Sequence, residues 1–89
     1  MNSYPLISII IPVRPGASAQ TAIDSIQKAD YPLELIQTIV EEGLNPSRQR
    51  NEGIKKASGE IIFFLDDDSE ITPGLFKETV KTYLAYPDA

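Results

Sequence analysis

Glu60-Ile61-Ile62-Phe63-Phe64-Leu65-Asp66-Asp67-Asp68 is the stretch that decides the fold. An apolar run rich in β-branched and aromatic residues stops abruptly at three carboxylates. A run of this length and composition reads as a buried strand. Side chains alternate across a strand, so continued strand geometry would send Asp66 and Asp68 to one side and Asp67 to the other. Neighbouring carboxylates repel unless something positive lies between them. A hard divalent cation, Mg²⁺ or Mn²⁺, suits oxygen ligands and commonly brings substrate phosphates with it. The alternative is a solvated acidic turn that caps the helix after it.

Two more strands lie upstream. Leu6 to Val13 is almost continuously apolar, as a central parallel strand covered on both faces would be. Leu33 to Glu41 mixes apolar and polar residues and fits a strand nearer the sheet edge. Helical spacing of Ala19, Ala22, Ile23 and Ile26 predicts a helix over 17–29, broken from the first strand by Arg14-Pro15-Gly16. Asn45-Pro46 is a cap followed by proline at the first helical position, and it opens a second helix that runs to about Ala57. Thr72-Pro73 repeats that signal before a third helix with Phe76, Val80, Tyr83 and Leu84 as its apolar stripe. Tyr86 and Pro87 follow it.

The order β-α-β-α-β-α implies an α/β domain, a three-layer arrangement with a parallel sheet and right-handed crossovers. With the most apolar strand in the middle, the strand order is 2-1-3. The switch point between strands 1 and 3 then opens a crevice at their C-terminal ends, where ligands bind in such folds. Pro12, Val13, Arg14 and the Asp66–Asp68 cluster fall there. In the second helix, Ile54 and Ala57 mark the inward stripe, and stepping back adds Arg50, Asn51 and Ser47. Arg48 lies roughly 200° from Arg50 around the helix and cannot share its face. An inward Arg50 needs a carboxylate or phosphate partner, and the helix N-terminus beside it adds free N–H groups. Glu41 and Glu42 end the second strand and are candidates to accept from a ribose or base. The alternatives are a snorkelling arginine and a solvated strand end. Ser69 is a weak nucleophile candidate with no base nearby.

Composition removes several classes. The 89 residues contain no cysteine and no histidine, so there are no disulfides, thiolate sites or imidazole base. A net charge of −5 argues against nucleic-acid partners. No apolar run is long enough to span a membrane, and the expected location is cytoplasmic. There is no G-x-G-x-x-G and no Walker-type phosphate loop.

These segments resemble family 2 glycosyltransferases of the GT-A fold. Pro5–Val13 is similar to their opening strand. Arg50-Asn51-Glu52-Gly53-Ile54 with Ala57-Ser58-Gly59-Glu60 resembles their R-N-x-G-I…A-x-G-[DE] segment, and Leu65–Asp68 resembles their D-x-D motif. The resemblance implies transfer of a sugar from a nucleotide diphosphate sugar with Mn²⁺ or Mg²⁺. It would put Pro12 and Val13 at the base pocket, with Arg14 able to meet a phosphate. Glu41 or Glu42 would contact the nucleoside, and Arg50 would lie near the pyrophosphate. Asp66 and Asp67 would lie at the nucleotide sugar, and Asp66 and Asp68 at the metal.

The sequence departs from the pattern in three places. Glu41-Glu42-Gly43-Leu44 stands where the family has D-D-G-S-like residues. The stretch between there and Arg50-Asn51 is short. Nothing after Asp68 resembles the family's acceptor half with its catalytic base. The expectation is therefore a single nucleotide-sugar-binding domain over 1–89, a partial GT-A fold that lacks the acceptor half and is inactive alone. An open apolar edge at the third strand would favour a homo-oligomer. The alternative from another class is a non-catalytic α/β module that binds a nucleotide or a partner protein. A Mg²⁺-dependent phospho-receiver also uses strand-end carboxylates but needs more strands.

Overall fold

The computed structural model describes residues 4–85. The expected positions of Tyr86 and Pro87 lie outside the described residues. The elements are β1 (Ile7–Val13), α1 (Gln20–Gln27), a 3₁₀ turn (Leu33–Leu35), β2 (Ile36–Glu42), α2 (Pro46–Lys56), β3 (Ile61–Phe64) and α3 (Leu75–Ala85). The sheet is parallel with order β2-β1-β3, as the apolarity ranking of the strands predicts. Register runs from Ile7 opposite Ile36 and Ile61; β1 and β2 stay paired to Val13 opposite Glu42, while β3 pairs only as far as Phe64 opposite Ile10.

The two faces of β1 have different covers. Ile7, Ile9, Ile11 and Val13 enter one apolar cluster with Ala19, Ala22 and Ile26 of the α1 segment and with Phe76 and Val80 of α3. Phe63 of β3 meets Phe76 edge-on, with ring centroids 4.9 Å apart. The even residues Ser8 and Ile10 face α2. There Gly53 lets the helix lie flush on the strand, since a Cβ at that position would stand 2.5 Å from Ile10 Cγ2.

That close approach corrects the expected stripe of α2. The buried residues are Gln49 and Gly53, while Arg50 is exposed and Ile54 is 44% exposed. The helix is turned by one residue, about 100°, from the orientation its apolar residues suggest. Contact is set by the residue without a side chain, and Ile54 is left outside.

Other boundaries shift for local reasons. Helix α1 begins at Gln20, after a turn in which the Ala17 N–H donates to the Arg14 carbonyl at 2.9 Å. Pro15 and Gly16 are its central residues, and Gly16 takes a φ of +81°, which glycine adopts without strain. The Thr72-Pro73 signal opens a turn, with the Leu75 N–H on the Thr72 carbonyl, and the helix starts only at Leu75. Tyr83 and Leu84 are exposed, so the apolar stripe of α3 is buried only at Phe76 and Val80. Tyr31 is buried and donates its hydroxyl to the Pro5 carbonyl at 2.6 Å. Burial pushes that phenol's pKa upward, helped by the charges of Tyr4 and Glu60.

Candidate functional site

Where β1 and β3 part company at the C-terminal rim, a crevice of about 560 Å³ opens. Its floor and near wall are Pro12, Val13 and Arg14 from the end of β1. Gly43 and Leu44 follow β2, Pro46, Gln49 and Arg50 come from the first turns of α2, and Asp66, Asp67 and Asp68 follow β3.

The acidic segment is a turn rather than a continued strand. Regular pairing stops at Phe64, and the Leu65 N–H still reaches the Ile10 carbonyl at 3.0 Å. The Ser69 N–H then donates to the Asp66 carbonyl, while the Asp66 N–H donates to Ser69 Oγ, both at 3.0 Å. Ser69 is thereby the clasp of the turn. The Ala22 N–H of α1 approaches the Asp67 carbonyl at 3.4 Å and docks the turn on that helix. Because the chain turns instead of alternating, Asp67 does not leave for the opposite side, and all three residues line the crevice.

Arg14 and Arg50 face the same space. Neither arginine and none of the three aspartates forms an ion pair among the described residues. The expected burial of Arg50 and its pairing with an aspartate are thus corrected: its side chain is solvated at the crevice wall. The helix N-terminus is also less open than its position suggests. Pro46 has no N–H, and the Arg48 N–H is taken by Asn45 Oδ1 at 3.2 Å.

Glu41 and Glu42 do not line the crevice. Glu41 points to the α2 face, is 9% exposed, and its carboxylate meets Lys56 Nζ at 2.7 Å. The hydrogen bond to Glu41, and then its charge, push the Lys56 pKa above the ordinary value. Glu42 is exposed at the last position of β2. Reading the chain as sequence also misses Gly43, Leu44, Pro46 and Gln49 as lining residues. For Gln49 a signal existed: Gly53 sits four residues later in the same helix, and a helical glycine that permits close approach puts its i−4 neighbour inside.

The family model for Glycosyl transferase family 2 matches residues 10–89. The chain belongs to this family. Neither the curated proteins nor the solved structures yield a match to it. Membership carries nucleotide-sugar binding of the glycosyltransferase type, and the three parallel strands in order 2-1-3 are a small Rossmann-like α/β domain consistent with a GT-A half. No helix among the described residues is long and apolar enough to cross a membrane.

Members of the family commonly use divalent metals. Among the described residues no three or more Asp, Glu, His or Cys side chains form a ready-made metal cage. The donor set still fits a hard cation held partly by a ligand. Mg²⁺ is usually bound through one or two carboxylates plus substrate phosphates rather than by an all-protein cage. Three carboxylates against two guanidiniums would otherwise repel a diphosphate.

Proposed function

We propose that this glycosyltransferase-family chain binds a nucleotide diphosphate sugar in the rim crevice and serves as the donor-binding domain of sugar transfer. The supporting observation is the convergence of Arg14, Arg50 and Asp66–Asp68 on one crevice at the switch point of the sheet. Pro12, backed by the buried Val13, gives an apolar wall for the base. Asp66 and Asp68 are the residues to hold Mn²⁺ or Mg²⁺, with Asp67 beside the donor. Arg14 and Arg50 face the diphosphate, where a planar guanidinium can take two oxygens at once. When bound, the cation supplies charge neutralisation to a diphosphate leaving group. The residues of this chain hold and orient the donor, and we assign no catalytic base among them. The nucleoside contact expected of Glu41 or Glu42 is not part of the proposal, because Glu41 is committed to Lys56 and neither residue lines the crevice.

Calorimetry with a panel of nucleoside diphosphates, with and without Mn²⁺, tests this. Binding should be far stronger with metal. Asp68→Asn should abolish most of the metal dependence, Asp67→Asn should do less, and Arg50→Ala should weaken binding while leaving the denaturation midpoint nearly unchanged. A folded chain with no affinity for any nucleotide would instead support a non-catalytic module. A second copy pairing along the outer edge of β3, where Phe64 is 46% exposed, completes the proposal. Light scattering that returns a monomer's mass at high micromolar concentration removes that last part.

A further inference from the structure

Gln49 is 6% exposed, yet it belongs to the crevice wall. Its Nε2 donates to the Val13 carbonyl at 2.8 Å and to the Glu41 carbonyl at 2.7 Å. The Val13 carbonyl also accepts from the Gly43 N–H at 2.9 Å. One carboxamide therefore ties the end of β1, the end of β2 and the first turns of α2 to each other. Chemistry fixes its orientation. A flipped amide would press an oxygen against two carbonyl oxygens, so both amide hydrogens are spent on the main chain. The remaining atom, Oε1, makes no hydrogen bond among the described residues, and no fully buried side-chain polar atom among them lacks a partner, so Oε1 keeps a small exposed surface in the crevice wall. Gly43 makes room for this arrangement. A Cβ there would lie 3.1 Å from Gln49 Cγ, 3.2 Å from Cδ and 3.5 Å from Oε1.

We propose that Gln49 positions the nucleoside end of the crevice: it holds the Val13 and Glu41 carbonyls away from the ligand and offers Oε1 as a neutral acceptor to an N–H donor of the nucleobase. The inference rests on the crevice being a nucleotide site. The group that Gln49 itself presents there is an acceptor. The Val13 carbonyl has both lone pairs engaged, and the amide donors of Gln49 are used. A base is thus recognised through an N–H it donates, while the diphosphate end depends on the arginines and aspartates on the other side.

The test separates the two ends. Affinities of the intact chain are measured with Mn²⁺ for the best-binding nucleoside diphosphate and for inorganic pyrophosphate, which has no base. Gln49→Met keeps the length of the side chain and removes its hydrogen bonds. It should lower nucleoside diphosphate affinity about tenfold and leave pyrophosphate affinity unchanged. Gly43→Ala, which crowds the carboxamide without altering it, should give a smaller loss of the same kind and covers the case in which Gln49→Met fails to fold. In Gln49→Glu, the ratio of the two affinities should be low at neutral pH and recover as the pH falls and the carboxyl regains a donor. A glutamine that acted only on the fold as a whole would move both affinities together and leave their ratio flat across the pH range. Equal losses for both ligands, or no loss for either, overturn the inference. A parent chain that binds pyrophosphate but no nucleotide more tightly overturns the role of Gln49 alone. A parent chain that binds neither overturns the nucleotide-site reading with it.

Discussion

Compared across the sheet, the side under α1 and α3 is held mainly by apolar contact, with hydrogen bonds only at its margins, and the side under α2 is stitched with hydrogen bonds. On the first, Ile7, Ile9, Ile11 and Val13 meet Phe76, Val80 and Ile26 with no polar atom required. On the second, Ser8 Oγ donates to Gln37 Oε1 at 2.6 Å and accepts from the Gly59 N–H at 2.8 Å. The Ser58 N–H joins Gln37 Oε1 at 2.8 Å, and Gln49 and the Glu41–Lys56 pair continue the seam to the rim. The apolar side holds by area and tolerates small shifts in direction. The polar side holds by placement, and it is the side whose upper end becomes the crevice wall. Stability and site geometry are thus divided between the faces.

The sharpest way to break that division is to remove material from one face and add it to the other. Phe76 is fully buried, so Phe76→Ala should cost about 3–5 kcal/mol through lost burial and the cavity left behind. That is a large share of the stability of so small a domain. The opposite face should fail by crowding. A Cβ on Gly59 would stand 2.5 Å from the Ser8 backbone nitrogen and 2.7 Å from the Ile7 carbonyl carbon, and neither main-chain atom can swing aside. Gly59→Ala should cost about 1–3 kcal/mol by overpacking. Urea titrations of both variants check the ordering. If Phe76→Ala proves the milder change, the apolar face is not the main source of stability.

The same contrast explains what the sequence revealed. The apolar face is legible because its signal is periodic: apolar runs name the strands, and the strands' relative apolarity gives the order 2-1-3. Asp66–Asp68, Arg14, Pro12 and Val13 reach the crevice because topology alone sends strand ends there. The stitched face is not legible in that way. The orientation of α2 is set by where Gly53 allows contact with Ile10, and a count of apolar residues points one residue away, to Ile54. That one-residue turn leaves Arg50 at the crevice wall but solvated, brings in Gln49, and withdraws Glu41 toward Lys56. The fate of Asp67 likewise depended on a turn clasped by Ser69, a contact between specific atoms that no period encodes.

The smallest expected effect probes the lower part of the stitched face. Lys56 is largely exposed, so its pair with Glu41 is screened by water and contributes little. Its pH signature is nevertheless distinct. The lysine's pKa is raised in the folded chain by the hydrogen bond to Glu41, so the folded state holds that proton more tightly than the unfolded state does. The contribution is therefore fully present below 10.5, the ordinary lysine value, and is lost as the pH climbs through the higher folded value. Tyr31 and Lys77 are shifted upward too and add alkaline destabilisation of the same sign. Comparing the parent with Lys56→Met cancels those two. The parent should be slightly the more stable from neutral pH to about 10, and the difference should fade above 10.5, as followed by thermal denaturation across that range. A difference that stays constant, or widens, through the alkaline range would mean that Lys56 acts through the packing of its methylene chain. The seam between Glu41 and α2 would then be held at that end by contact rather than by charge.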